Sequence, residues 1–156
     1  MIRLLRVDHR LLHGQVAFSW TNTLQADCIL IANDEVVTDE LRMTTLKLAK
    51  PAGVKLVIKS IKDSVEALNS GVTDKYKLFI VVESVADAAR LADGVKDIRS
   101  INIGGTKQKE GTERLAKTLN VTGEDRETLK ALIAKGIEVE VRQVPTDSKL
   151  NVAELL

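Results

Sequence analysis

Short runs of β-branched and aliphatic residues alternate along the chain with longer stretches whose apolar positions recur at helical spacing. Ile2–Val7, Asp27–Asn33, Val54–Lys59, Lys77–Val82, Ser100–Gly104 and Ile137–Val144 read as strands. Between them Gln15–Leu24, Asp34–Lys50, Ser60–Asn69, Val85–Leu91 and Gly123–Lys135 read as helices. Asp34 and Thr38 offer capping oxygens at one helix start, while Gly71 and Gly136 follow helix ends where a positive φ is wanted. Pro51 and Pro145, the only prolines, fall just outside these elements. The alternation predicts an α/β fold: an open, mostly parallel β-sheet with helices on both faces. Thr106–Thr122 is the least regular stretch, with a short extra strand expected within Arg114–Val121. No linker, repeat or low-complexity tract divides the chain, so one domain over residues 1–156 is expected.

Composition narrows the class. A chain of 156 residues is within reach of one core that buries roughly 70% of the unfolded surface. Hydrophobic residues at 44% and charged residues at 29% disfavour disorder. Lys plus Arg number 23 against 22 acidic residues, leaving no global pull toward nucleic acid or an anionic membrane. The longest apolar runs, Cys28–Ala32 and Leu78–Val82, fall far short of the about 20 residues that span a bilayer. Met1–Arg10 carries Arg3, Arg6 and Arg10 but no apolar core of a secretory signal. The single cysteine, Cys28, excludes a disulfide framework and a cysteine-rich zinc site, and a reducing cytoplasm is expected. Aromatics at 3% provide little for base stacking.

Candidate chemistry concentrates in one segment. Both histidines, His9 and His13, lie in R-V-D-H-R-L-L-H-G-Q-V (Arg6–Val16), directly after the first strand, and open α/β sheets bind ligands beyond the carboxyl ends of their strands. Arg10 offers a planar fork for phosphate oxygens, and the first turn of a helix at Gly14 and Gln15 adds backbone donors. A neutral imidazole is a competent nucleophile near neutral pH, so His13 is placed for reversible phosphoryl chemistry. Asp8 either accepts from an imidazole N–H and fixes its tautomer, or pairs with Arg10. N-I-G-G-T-K (Asn102–Lys107) follows another strand and either lends amides from Gly104, Gly105 and Thr106 or is a bare turn. It lacks P-loop spacing. Asp34 and Glu35 read as a helix cap or as the rim of the site. Phe18 and Trp20 are expected in packing contacts. A zinc site on His9 and His13 would need a helix and a third ligand, and neither is in evidence. A phosphoaspartate receiver would want an Asp closing the third strand, where Lys59 and Ser60 stand.

D-H-R-L-L-H-G-Q-V (Asp8–Val16) resembles the D-x-R-L-[IL]-H-G-Q-V segment of the IIB components of the mannose/fructose/sorbose family of the bacterial phosphoenolpyruvate-dependent sugar phosphotransferase system. N-D-E-V at Asn33, the Ala49–Val54 segment, I-N-I-G-G-T at Ile101 and K-G-I-E-V-E-V-R-Q-V-P-T-D (Lys135–Asp147) are similar to the family in the same order. The resemblance implies a cytoplasmic phosphocarrier, held peripherally at the inner membrane face, that takes a phosphoryl group from a IIA domain and passes it to sugar entering through membrane IIC and IID subunits. His13 matches the family's phosphorylated histidine, modified on Nδ1. Arg10 matches an arginine that assists transfer, and Asp8 the acidic residue opening the motif. His9 falls at a variable position, often acidic in relatives, and takes no catalytic role. No cofactor and no metal are implied beyond the transient phosphohistidine. Thr106 stands where many relatives carry methionine, and Lys107–Gly111 departs more freely. The sequence leaves the sugar, a separate or fused IIA, and monomer or homodimer open.

Overall fold

In the computed structural model, which describes residues 1–156, β2 (Cys28–Ala32) and β4 (Leu78–Val82) are buried at every position. Their unbroken apolar runs follow from this, since both faces of each strand are covered. They sit side by side in a seven-stranded sheet of order β3 (Lys55–Lys59), β2, β4, β1 (Ile2–Asp8), β5 (Ser100–Gly105), β8 (Glu138–Val141) and β9 (Leu150–Asn151). Every pairing is parallel except the last, β8 with β9. At one edge β3 carries a lysine at each end.

Alternate residues of the strands feed two apolar layers, as the two-residue repeat of a strand requires. Leu4, Ile29, Ile31, Phe79 and Val81 pack with Ala17 and Trp20 of α1 (Gly14–Leu24) and Leu46 of α2 (Glu40–Ala49). Leu5, Val7, Leu30, Ile80 and Ile103 pack on the other side with α3 (Ile61–Ser70), α4 (Val85–Gly94) and α5 (Gly123–Ala134). After β1 the chain therefore leaves toward one face, and after β5, its neighbour, toward the other. Such a divergence opens a crevice at the carboxyl ends of the two strands.

Several local expectations shift. The single helix expected over Asp34–Lys50 is interrupted, because the Asn33 side chain accepts from the amides of Glu35 and Val36 and turns the chain into a short 3-10 turn. α2 begins only at Glu40, capped by Asp39 through the Arg42 amide. Thr38 does not cap; its hydroxyl donates to the Glu35 carbonyl. The irregular stretch contains an antiparallel hairpin, β6 (Glu113–Ala116) and β7 (Leu119–Val121), instead of one strand. β8 stops at Val141 because Asp147 draws the amides of Gln143 and Val144 into a turn. Trp20 is buried at 1% exposure, but Phe18 is 57% exposed and packs into no core.

Candidate functional site

The crevice is shaped by the turn that follows β1. The Leu11 amide donates to the Asp8 carbonyl at 2.8 Å, and Leu11 adopts φ 58°, a conformation that costs a branched L-residue about 1–2 kcal/mol. Burial of the Leu11 and Leu12 side chains holds the turn in place. The chain then enters α1 with His13 as its N-cap residue, extended at φ −153° and followed by Gly14 at φ 47°. The His13 side chain makes no capping bond. The first bond into the helix runs from the Ala17 amide to the His13 carbonyl, so the amides of Gly14, Gln15 and Val16 have no acceptor within the helix.

His13 is turned to Asp8 instead. Its Nε2 lies 3.0 Å from Asp8 Oδ2. The other carboxylate oxygen accepts from the Arg10 amide at 3.0 Å. Of the two roles open for Asp8 in the sequence, the structure selects the imidazole contact. The cation it pairs with is Arg6, Nη2 to Oδ2 at 3.2 Å, and not the guanidinium of Arg10. A carboxylate only accepts, so against an ionised Asp8 this contact calls for the tautomer with its proton on Nε2, in which Nδ1 keeps its lone pair.

Arg6 reaches Asp8 along the underside of β5. A Cβ at Gly104 would overlap the Arg6 guanidinium, which is why a glycine stands there. Gly104 thus leaves the space that Arg6 fills, and it also lines the cleft. Gly105 and Thr106 tie this wall of the cleft to its neighbours. The Gly105 carbonyl accepts from the His9 amide, the Thr106 amide donates to the Thr118 carbonyl, and the Thr106 hydroxyl donates to the Asn120 carbonyl. The Gly104–Thr106 segment therefore shapes the wall and joins it to the hairpin; it is not a bare turn.

The resulting cleft, about 260 Å³, is lined by Asp8, Arg10, His13, Gly105, Lys117 and Asn120 among others. Asp8 is the only acid in its lining, against Arg6, Arg10 and Lys117. Arg10 is exposed and no hydrogen bond or ion pair engages its guanidinium. His9 is exposed at the cleft edge, and His9 and His13 do not share a helix. Asp34 and Glu35 lie outside the cleft. Asp34 caps the start of α3 through the Ile61 amide and binds Arg90, which holds its carboxyl below the usual carboxylate range.

Sequence reasoning missed the support behind Asp8. Arg6 Nη1 donates to Asn102 Oδ1 at 2.7 Å and to the Arg142 carbonyl at 3.0 Å, and Nη2 donates to the Gln143 carbonyl at 3.0 Å. Burial lowers the Arg6 pKa from its ordinary value and the charge of Asp8 pulls it back up. Asn102 donates to Glu140, which Arg142 grips with two bonds at 2.9 and 3.0 Å. One signal was present: an arginine set between Leu5 and Val7, inside the buried run of β1.

An imidazole with one nitrogen held by a buried carboxylate, beside unpaired helix amides and a free guanidinium, is a centre able to accommodate a phosphoryl-sized anion in an open α/β domain. The family model for the sorbose-subfamily IIB component of the phosphotransferase system matches residues 2–156. The chain belongs to this family of IIB components, which are phosphotransferases in sugar uptake. It is 33% identical to a probable phosphotransferase enzyme IIB component of Streptococcus pyogenes, over 100% of this chain and 99% of the relative. It is 34% identical to the mannose-specific EIIAB component of Escherichia coli, over 100% of this chain but 48% of that longer polypeptide. Among solved structures, the IIB domain of the sorbose permease of Klebsiella pneumoniae superposes with a TM-score of 0.94 at 29% identity, covering 99% of this chain and 95% of that one.

Proposed function

We propose that His13 is the phosphoacceptor of a carrier that receives its phosphoryl group from a IIA histidine and delivers it to sugar at membrane IIC and IID subunits. The observation that carries this reading is the 3.0 Å contact between His13 Nε2 and Asp8, which leaves Nδ1 as the nucleophile. As Nδ1 bonds to phosphorus, the donor's N–P bond breaks and its electron pair stays on the donor nitrogen. The loaded ring keeps its Nε2–H and gains positive charge, which faces the Asp8 carboxylate. Arg10 and the amides of Gly14 and Gln15 supply donors to the equatorial oxygens. In the second step a sugar hydroxyl oxygen bonds to phosphorus, the pair of the N–P bond returns to Nδ1, and the hydroxyl proton is released.

The reading needs no cofactor or metal on this chain. A IIA partner is supported by the EIIAB name of the Escherichia coli relative, of which this chain spans about half. No helix is long and apolar enough to cross a membrane, which suits a carrier at the cytoplasmic face that meets its membrane subunits from outside the bilayer. The test is transfer from phosphoenolpyruvate through the general phosphotransferase proteins and a IIA domain, followed by mapping of the acid-labile label. Label on His13, lost in His13→Ala, is expected; label on His9, or retained in the variant, overturns the assignment.

A further inference from the structure

Behind the cleft a line of polar side chains crosses three strands: Asp8 and Arg6 on β1, Asn102 on β5, Glu140 on β8 and Arg142 just beyond it. Arg6, Asp8, Asn102 and Glu140 are all buried to 3% exposure or less. The charges balance, with two cations and two carboxylates. The Arg6 guanidinium is fixed by two backbone carbonyls and Asn102, and it has no freedom to follow a moving partner.

Other charged or titratable groups surround Asp8. His9, Arg10 and His13 come from the turn after β1, Lys117 from the hairpin, and Glu140 with Arg142 from β8 and the residues after it. Glu140 is neutralised by Arg142, and Lys117 and Arg10 are exposed. Arg6 is the only buried cation bonded directly to the Asp8 carboxylate. Without it, burial favours the neutral acid. A neutral Asp8 would have an O–H to donate to His13 Nε2, and the ring proton would then sit on Nδ1, the nitrogen that must attack.

We infer that Arg6 is a positioning residue for phosphoryl transfer: it keeps Asp8 ionised and oriented so that His13 presents Nδ1 unprotonated. The inference rests on His13 being the acceptor. Gly104 belongs to the same device, because its missing side chain is the space the guanidinium occupies.

The experiment uses the full chain with Arg6→Gln, Arg6→Lys and Gly104→Ala. The first removes the charge, the second keeps it, and the third displaces the guanidinium with every charge retained. Long-range nitrogen–proton NMR reads the His13 tautomer, and single-turnover acceptance from phospho-IIA is followed against pH. The unmodified chain is expected to show the Nε2–H form at neutral pH. In Arg6→Gln and Gly104→Ala the Nδ1–H form should gain population. Acceptance at neutral pH should fall about 10- to 100-fold and recover as rising pH ionises Asp8, with Arg6→Lys in between.

An Nδ1–H tautomer in the unmodified chain overturns the inference without recourse to any variant. So does a folded Arg6→Gln with the native tautomer and an unaltered pH profile, or one slowed equally at every pH. Should Arg6→Gln fail to fold, Gly104→Ala and the tautomer of the unmodified chain carry the test. The tautomer is read without any label, so failure of the acceptor assignment, seen as label persisting in His13→Ala, is separable from failure here.

Discussion

The guanidinium carbon of Arg6 lies 5.1 Å from the centroid of the Trp20 ring. Arg142 lies at the same distance from that ring, and the indole N–H donates to the Gln143 carbonyl at 3.1 Å. Trp20 is the only tryptophan, and Arg6 connects it through Asp8 to His13. A change of charge at His13 should therefore alter the field at the indole. Phosphorylation is expected to shift or quench tryptophan emission, with no change in His13→Ala given the same donor mixture. Identical spectra before and after complete labelling would show that the indole does not sense the site.

Arg10 is expected to matter to rate and not to folding, since its exposed guanidinium has no partner in the protein. Arg10→Ala should slow both acceptance and donation about 100- to 1,000-fold, the loss seen when one donor to a developing charge is removed. Its denaturation midpoint should stay near that of the unmodified chain, within about 0.5 kcal/mol of stability. Stopped-flow transfer with matched urea titrations reads both. Unchanged single-turnover rates would remove Arg10 from the mechanism.

Asp34 and Arg90 give a pH signature elsewhere on the molecule. The side-chain bond to Arg90 and the Ile61 amide hold the Asp34 carboxyl below its ordinary 3.8. A lowered carboxyl pKa stabilises the fold above its unfolded value, and that contribution is lost as pH falls through the folded one. Asp34→Asn should thus cost stability at neutral pH and nothing once both forms of the group are protonated. The pair is about half exposed, so the cost should stay below about 1 kcal/mol. Thermal melts at neutral and strongly acid pH check the sign; a difference that grows in acid would contradict it.

If one imidazole both receives and gives the group, each partner's reacting atom must come into line with the same N–P bond. The cleft opens on one face, bounded by Arg10, Gly105 and Lys117. The donor domain and the membrane acceptor should therefore compete for it. Titrating IIA against this protein held on detergent-solubilised IIC and IID should displace it from them. A ternary complex with IIA seated at full affinity would exclude mutual exclusion.

Much of the fold was legible because strand and helix periods differ and because β2 and β4 are apolar throughout. The turn carrying Asp8, Arg10 and His13 was legible from its residue types and its place after a strand. Arg6 was not, because its meaning depends on Asn102, which lies 96 residues away, and on the Arg142 carbonyl, 136 residues away. The space Gly104 leaves for Arg6 was hidden for a related reason: a glycine near a strand's end looks alike whether it frees an amide or clears a path for another strand's side chain. The interruption before α2 hinges on one Asn33 side chain, and β9 is two residues long, too short for a periodic signal.

The lysines at both ends of β3 bear on how this protein behaves at high concentration. An edge strand offers a row of unpaired backbone groups to any second strand, a common start to aggregation. Were two copies to join antiparallel through β3 about its central Val57, Lys55 of each would stand opposite Lys59 of the other, and like charges facing across a ladder repel. The sheet thus ends on that side in a strand that discourages its own duplication, and its open edge is kept from becoming a seam between copies.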